Sequence, residues 1–93
     1  VPFMERDISL ILSESYTSAE IISIIKKAGK PLLEKVELLD RYEGENLSEG
    51  LVSQAFRIRY RKIDSTLTEE EINPTHEKIR LSLEKKFKAN LRS

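Results

Sequence analysis

The stretch Ser53–Lys62, SQAFRIRYRK, sets Arg57, Arg59 and Arg61 between Phe56, Ile58 and Tyr60, with no acidic residue beside them. Guanidinium groups in such a row can hold phosphate through paired hydrogen bonds or stack flat on a nucleobase. Elsewhere the chemistry is sparse. His76 is the single histidine; it falls roughly in helical line with Ile72, Ile79 and Leu83, and no serine or cysteine nucleophile is evidently paired with it. It therefore reads as a boundary residue of a helix rather than a general base. Glu69, Glu70 and Glu71 stand where a helix begins and complement its dipole, and Glu43, Glu45 and Glu49 read as a solvated loop. The run EGEN lacks both the glycine spacing and the lysine of a phosphate-binding loop. With no cysteine in the chain, disulfides, thiolate catalysis and cysteine-ligated zinc drop out together. No catalytic set, metal-ligand cluster or cofactor site is expected.

The 93 residues suit one domain, 1–93, with a single core. A 39% hydrophobic and 34% charged composition describes a globular chain with a well-charged surface. The formal net charge of +0 gives no bulk attraction to nucleic acid or anionic lipid, so any such attraction must come from local clustering. No apolar run approaches the roughly 20 residues that cross a bilayer. VPFMERDISLIL has no basic segment ahead of its apolar run, so no secretory signal is read. A cytoplasmic or plastid-stromal compartment is the default expectation. The abrupt start beside an apparent strand suggests a domain cut from something longer.

The elements that must position the arginines follow from periodicity. Ile8, Leu10 and Leu12 alternate with polar residues, giving a first strand. Thr17 and Glu20 stand in capping-box relation, with Tyr16 and Ile21 as a hydrophobic staple. Ile21, Ile24, Ile25 and Ala28 then make a helical stripe, which Gly29 is expected to end at C′ ahead of Pro31. A second strand runs to about Tyr42, a loop spans 43–50, and SQAFRIRYRK is a third strand paired with the second. A second helix starts with the capping box Thr68–Glu71, carries Ile72, Ile79, Leu83 and Phe87 inward, and should be loosened or kinked by Pro74. ANLRS allows a short last strand around Leu91.

The order β-α-β-β-α-β specifies an α+β, ferredoxin-like sandwich: a four-stranded antiparallel sheet with two helices on one face. Phe56, Ile58 and Tyr60 should face the helices, leaving Ala55, Arg57, Arg59 and Arg61 on the open face. The second strand is harder to phase, because Val36, Leu38, Asp40 and Tyr42 share one parity; Asp40 and Tyr42 are placed on the open face. Three readings of that face follow. Alternating arginines can serve solubility alone, their stems covering apolar surface. They can instead make a platform for single-stranded RNA, with Lys85, Lys86, Lys88 and Arg92 extending it. A structural, assembly or small-ligand regulatory module without RNA contact is the alternative. The ligand-binding variety would want a glycine-rich turn after the first strand, where SESYTSAE has none.

RDISLIL at 6–12, KAGKPLLEKVELLDRYEGENLSEG at 27–50, SQAFRIRY at 53–60, TLTEEEIN at 66–73 and the tail LRS at 91–93 carry a resemblance. The chain resembles the ferredoxin-fold anticodon-binding domain that ends the β chain of bacterial and plastid phenylalanine–tRNA ligase (phenylalanyl-tRNA synthetase). The similarity covers essentially the whole chain without gaps. The resemblance implies a non-catalytic part of an ATP- and magnesium-dependent aminoacyl-tRNA synthetase whose catalytic centre lies in the α chain of an (αβ)₂ tetramer. It implies binding of the tRNA(Phe) anticodon stem-loop on the open sheet. By matching motifs, Ser9, Asp40, Tyr42 and Ser53 would meet the loop. Asp40 and Ser53 would bond a base edge and Tyr42 would stack, while Arg57 and Arg59 would hold phosphate or stack. Two departures remove positive charge there: Ser65 stands where the family usually has arginine, and Leu51 and Val52 where it often has basic residues.

Overall fold

The computed structural model describes residues 2–44 and 46–91. Strand β1 (Phe3–Ser13) leads into α1 (Ser18–Gly29), β2 (Leu33–Tyr42), β3 (Leu51–Arg61), α2 (Glu69–Phe87) and β4 (Asn90–Leu91). The sheet order is β2-β3-β1-β4 with antiparallel neighbours, the ferredoxin-like arrangement expected from the element order. β1 begins five residues before the alternating run Ile8–Leu12. Its first half is held by pairing with β3, Phe3 opposite Arg61 and Asp7 opposite Arg57.

Both helices start on the capping boxes read from sequence: the Thr17 and Thr68 hydroxyls accept from the amides of Glu20 and Glu71, whose carboxylates accept from the cap amides in return. One expectation about the helices is corrected. Gly29 is not a left-handed C′ residue but the last residue of α1, and extended Lys30 caps the helix. A Cβ on Gly29 would lie 2.7 Å from Leu33 Cβ, so the glycine is there to let β2 pass close by. Pro74 lies inside α2, which runs unbroken from Glu69 to Phe87. At its far end α2 closes on Lys88, a non-glycine residue in the left-handed region at φ 53°.

Ile8, Leu10 and Leu12 of β1 and Val52, Phe56, Ile58 and Tyr60 of β3 bury against Ile21 and Ile25 of α1 and Ile72, Ile79, Leu83 and Phe87 of α2. Two polar groups join this core. Gln54 is fully buried and ties β3 to the start of α1, accepting from Ser18 Oγ at 2.6 Å and donating to the Tyr16 carbonyl. His76, read as a boundary residue, is buried as well and shares a 2.9 Å hydrogen bond with the Tyr60 hydroxyl. Burial pushes the Tyr60 phenol up to about 12 and holds the His76 imidazole below its ordinary range, so the pair is a neutral one at pH 7.

Candidate nucleic-acid interface

Side chains on opposite strands share a face when their residues pair directly, so the register lays out the open face in rows. Ser9, Ala55 and Asp40 form one row, and Ile11, Ser53 and Tyr42 the next. On the other side run Asp7–Arg57–Glu37 and then Glu5–Arg59–Lys35. The phase of β2 is set by an irregularity between Leu38 and Asp40. Leu38 pairs with inward Phe56, Leu39 is the extra residue, and Asp40 pairs with outward Ala55. Four residues of equal parity therefore divide, with Val36 and Leu38 on the helix side and Asp40 and Tyr42 on the open face.

The face has two unlike halves. Around Ala55 it is nearly uncharged: Ser9, Ser53 and Ile11 accompany one carboxylate, Asp40. The small Ala55 side chain lies between the Ser9 hydroxyl and Asp40, two strand spacings or about 10 Å apart. Asp40 is exposed, and Tyr42 is 44% exposed one row along. Ser53 is only 8% exposed and offers little surface. The Tyr42 ring folds toward the following loop, against Gly44, where any Cβ would collide with it.

The other half is charged but balanced, and it corrects the expectation of a positive row. Asp7 accepts from Arg57 Nε and Nη2 at 2.9 and 3.1 Å, and the guanidinium holds that carboxyl below its usual range. Glu5 takes Arg59 at 3.1 Å, and Glu34 takes Arg61 at 2.7 Å. The exposed ring of Phe3, which sequence reasoning missed, lies 4.0 Å beneath the Arg59 guanidinium. The partners come from β1 and β2, so a local reading of SQAFRIRYRK could not find them. Arg57 borders the uncharged patch, whereas Arg59 lies about 14 Å along the strand from Ala55.

Lys85 and Lys86 do not extend this face either. They line the groove between the helices, on the other side of the sheet. Arg92, Ser93 and Glu45 lie outside the described residues. Among the described residues there is no cluster of three or more histidines, cysteines or carboxylates that could hold a metal, and no helix is long and apolar enough to cross a membrane. The site residues the structure brings together are Ser9, Asp40, Tyr42 and Ser53, with Arg57 at their edge.

Comparison with known proteins bears on the family and the fold. Residues 1–92 match the model of the ferredoxin-fold anticodon binding domain. The chain is 63% identical over all 93 residues to the phenylalanine–tRNA ligase beta subunit of Prochlorococcus marinus (strain NATL2A) and 55% identical to that of Synechococcus sp. (strain CC9605). It spans 11% and 12% of the lengths of those two relatives. Among solved structures, the de novo designed protein Foldit4 superposes with a TM-score of 0.59 at 16% identity, covering 98% of this chain and 94% of the design. A hydantoinase/carbamoylase family amidase from Burkholderia ambifaria gives 0.56 at 9% identity over 97% of this chain and 27% of the amidase. At such identities these two share the fold alone. The family match over nearly every residue is more specific: the chain belongs to the ferredoxin-fold anticodon-binding domain family.

Proposed function

We propose that this chain is the C-terminal domain, residues 1–93, of a phenylalanine–tRNA ligase β chain, and that its open face binds the anticodon stem-loop of tRNA(Phe) and helps select it for aminoacylation. The observation that carries the reading is the row Ser9–Ala55–Asp40 on the open face, a small side chain between a hydroxyl and a carboxylate, with exposed Tyr42 one row along. An unpaired base is a flat, largely apolar plate with a hydrogen-bonding edge, and a sheet face with a small residue between two polar ones suits it. Tyr42 stacks on the base, Asp40 accepts from an exocyclic amino group, Ser9 bonds the opposite edge, and Arg57 reaches the adjoining phosphate. Ser53 supports the Tyr42 row rather than reading a base, since it is nearly buried. Arg59 braces the charged half through Glu5 and Phe3.

The rest of the β chain and the α chain, in an (αβ)₂ tetramer, are the protein partners in this reading, in the cytoplasm or a plastid stroma. ATP and Mg²⁺ serve the catalytic centre in the α chain, and no residue of this domain takes part in the chemistry. Equilibrium binding of the anticodon stem-loop tests the site. Stacking of one base is worth about 1–3 kcal/mol, so Tyr42→Ala should weaken the cognate loop roughly ten- to hundredfold. Equal weakening by a charge reversal at Lys78, on the helix face, would reject the site.

A further inference from the structure

The helix face of the domain carries a cluster of unpaired positive charge. Lys27 of α1 and Lys78, Lys85 and Lys86 of α2 rim a groove of about 560 Å³ whose floor is Ile24, Ala28 and Ser82. All four lysines are exposed, and among the described residues none has an ion-pair partner, whereas every arginine of the β3 row has one. Just outside the rim, a second depression shares Lys78, Ser82 and Lys85 with the groove and adds Pro74, Leu81, which is 56% exposed, and Glu77, whose carboxylate faces Arg80 at 3.7 Å. We propose that this groove docks an acidic segment with an aliphatic anchor, supplied by the part of the parent polypeptide outside these 93 residues.

Three observations favour a protein segment over RNA. Four unpaired ammonium groups ask for carboxylates or phosphates, but the apolar floor and Leu81 ask for aliphatic side chains, which a phosphate backbone does not offer. Lysine presents a point charge without the planar fork that favours bidentate phosphate recognition. The groove also lies across the helix layer from the open face, in a body about 20 Å thick, so an RNA arm seated on the sheet does not reach it. This last step rests on the anticodon reading above. A chain that spans about a tenth of its relatives has ample polypeptide to supply the occupant.

The test uses the full-length β chain assembled with its α chain, without tRNA. Zero-length carbodiimide coupling should join Lys27, Lys78, Lys85 or Lys86 to an aspartate or glutamate outside residues 1–93, mapped by mass spectrometry. The double variant Lys78→Glu/Lys85→Glu should abolish those links and raise amide exchange of α1 and α2 several-fold, while Lys85→Arg retains protection. Absence of any link leaving the domain would overturn the proposal. So would protection of the groove that appears only when tRNA is added, which would assign it to RNA. Exchange at β1–β3 with and without tRNA is read in the same experiment, so failure of the anticodon reading is seen separately.

Discussion

At the scale of single residues, the charged half of the open face is a lattice in which each cation already has an anion. A phosphate that approaches Arg57 competes with Asp7, whose two hydrogen bonds at 2.9 and 3.1 Å hold the guanidinium along the strand. Asp7→Asn removes the competing charge and leaves the shape. The expected result is several-fold tighter binding of the stem-loop and a log–log salt slope steeper by about 0.7, one added phosphate contact on a single strand. Unchanged affinity and slope would show that Arg57 does not reach phosphate. His76 gives a pH dependence with a definite sign. Burial, Arg6 and Arg80 depress its folded pKa below the ordinary 6.5, with Glu77 opposing. The unfolded chain therefore takes up a proton near 6.5 that the folded chain refuses, and stability present above that pH is lost as pH falls toward 5. Asp7 and Glu71, lowered by Arg57 and Lys62 respectively, titrate in the fold below 3.8 and 4.5 and stay charged in this window. Urea unfolding between pH 5 and 7 should show the slope in the wild type and lose it in His76→Gln.

Among the elements, α2 ends under strain that a substitution can relieve. Lys88 sits at φ 53°, and a side chain in the left-handed region costs about 1–2 kcal/mol that glycine avoids. After glycine's larger chain entropy is subtracted, Lys88→Gly should stabilise the fold by about 0.5–1 kcal/mol, seen as a Tm higher by a few degrees. A lower Tm would mean that the Lys88 side chain makes a contact worth more than the strain. The elements also show what was legible beforehand. Both capping boxes, the helical stripes and the phase of β3 are local signals, carried by residues within one or two turns or by simple alternation, and each element formed where they stood. The first half of β1 was not legible, because Phe3 points outward and Arg6 reaches across to Asn73 on α2 at 2.8 Å, against the polarity that alternation expects. The phase of β2 turns on the extra residue Leu39, which only pairing with β3 reveals. The Ser9–Ala55–Asp40 row and the carboxylate partners of the arginines depend on strand register, so they too were beyond a local reading.

For the whole molecule, a net charge of +0 hides an uneven distribution. One half of the sheet face is charged but balanced, and the half around Ala55 carries the single carboxylate Asp40; the helix face carries unpaired lysines. This division argues that RNA recognition on the sheet is short-range, by stacking and base-edge contact, and that long-range attraction contributes little. The most direct test is an NMR titration of the labelled domain with the tRNA(Phe) anticodon stem-loop at low and near-physiological salt, with a loop of altered anticodon as control. The account predicts shifts confined to Ser9, Asp40, Tyr42, Ala55 and Arg57, larger for the cognate loop and surviving the higher salt. Shifts centred on Lys27, Lys78 and Lys85 instead, equal for both loops and erased by salt, would contradict it.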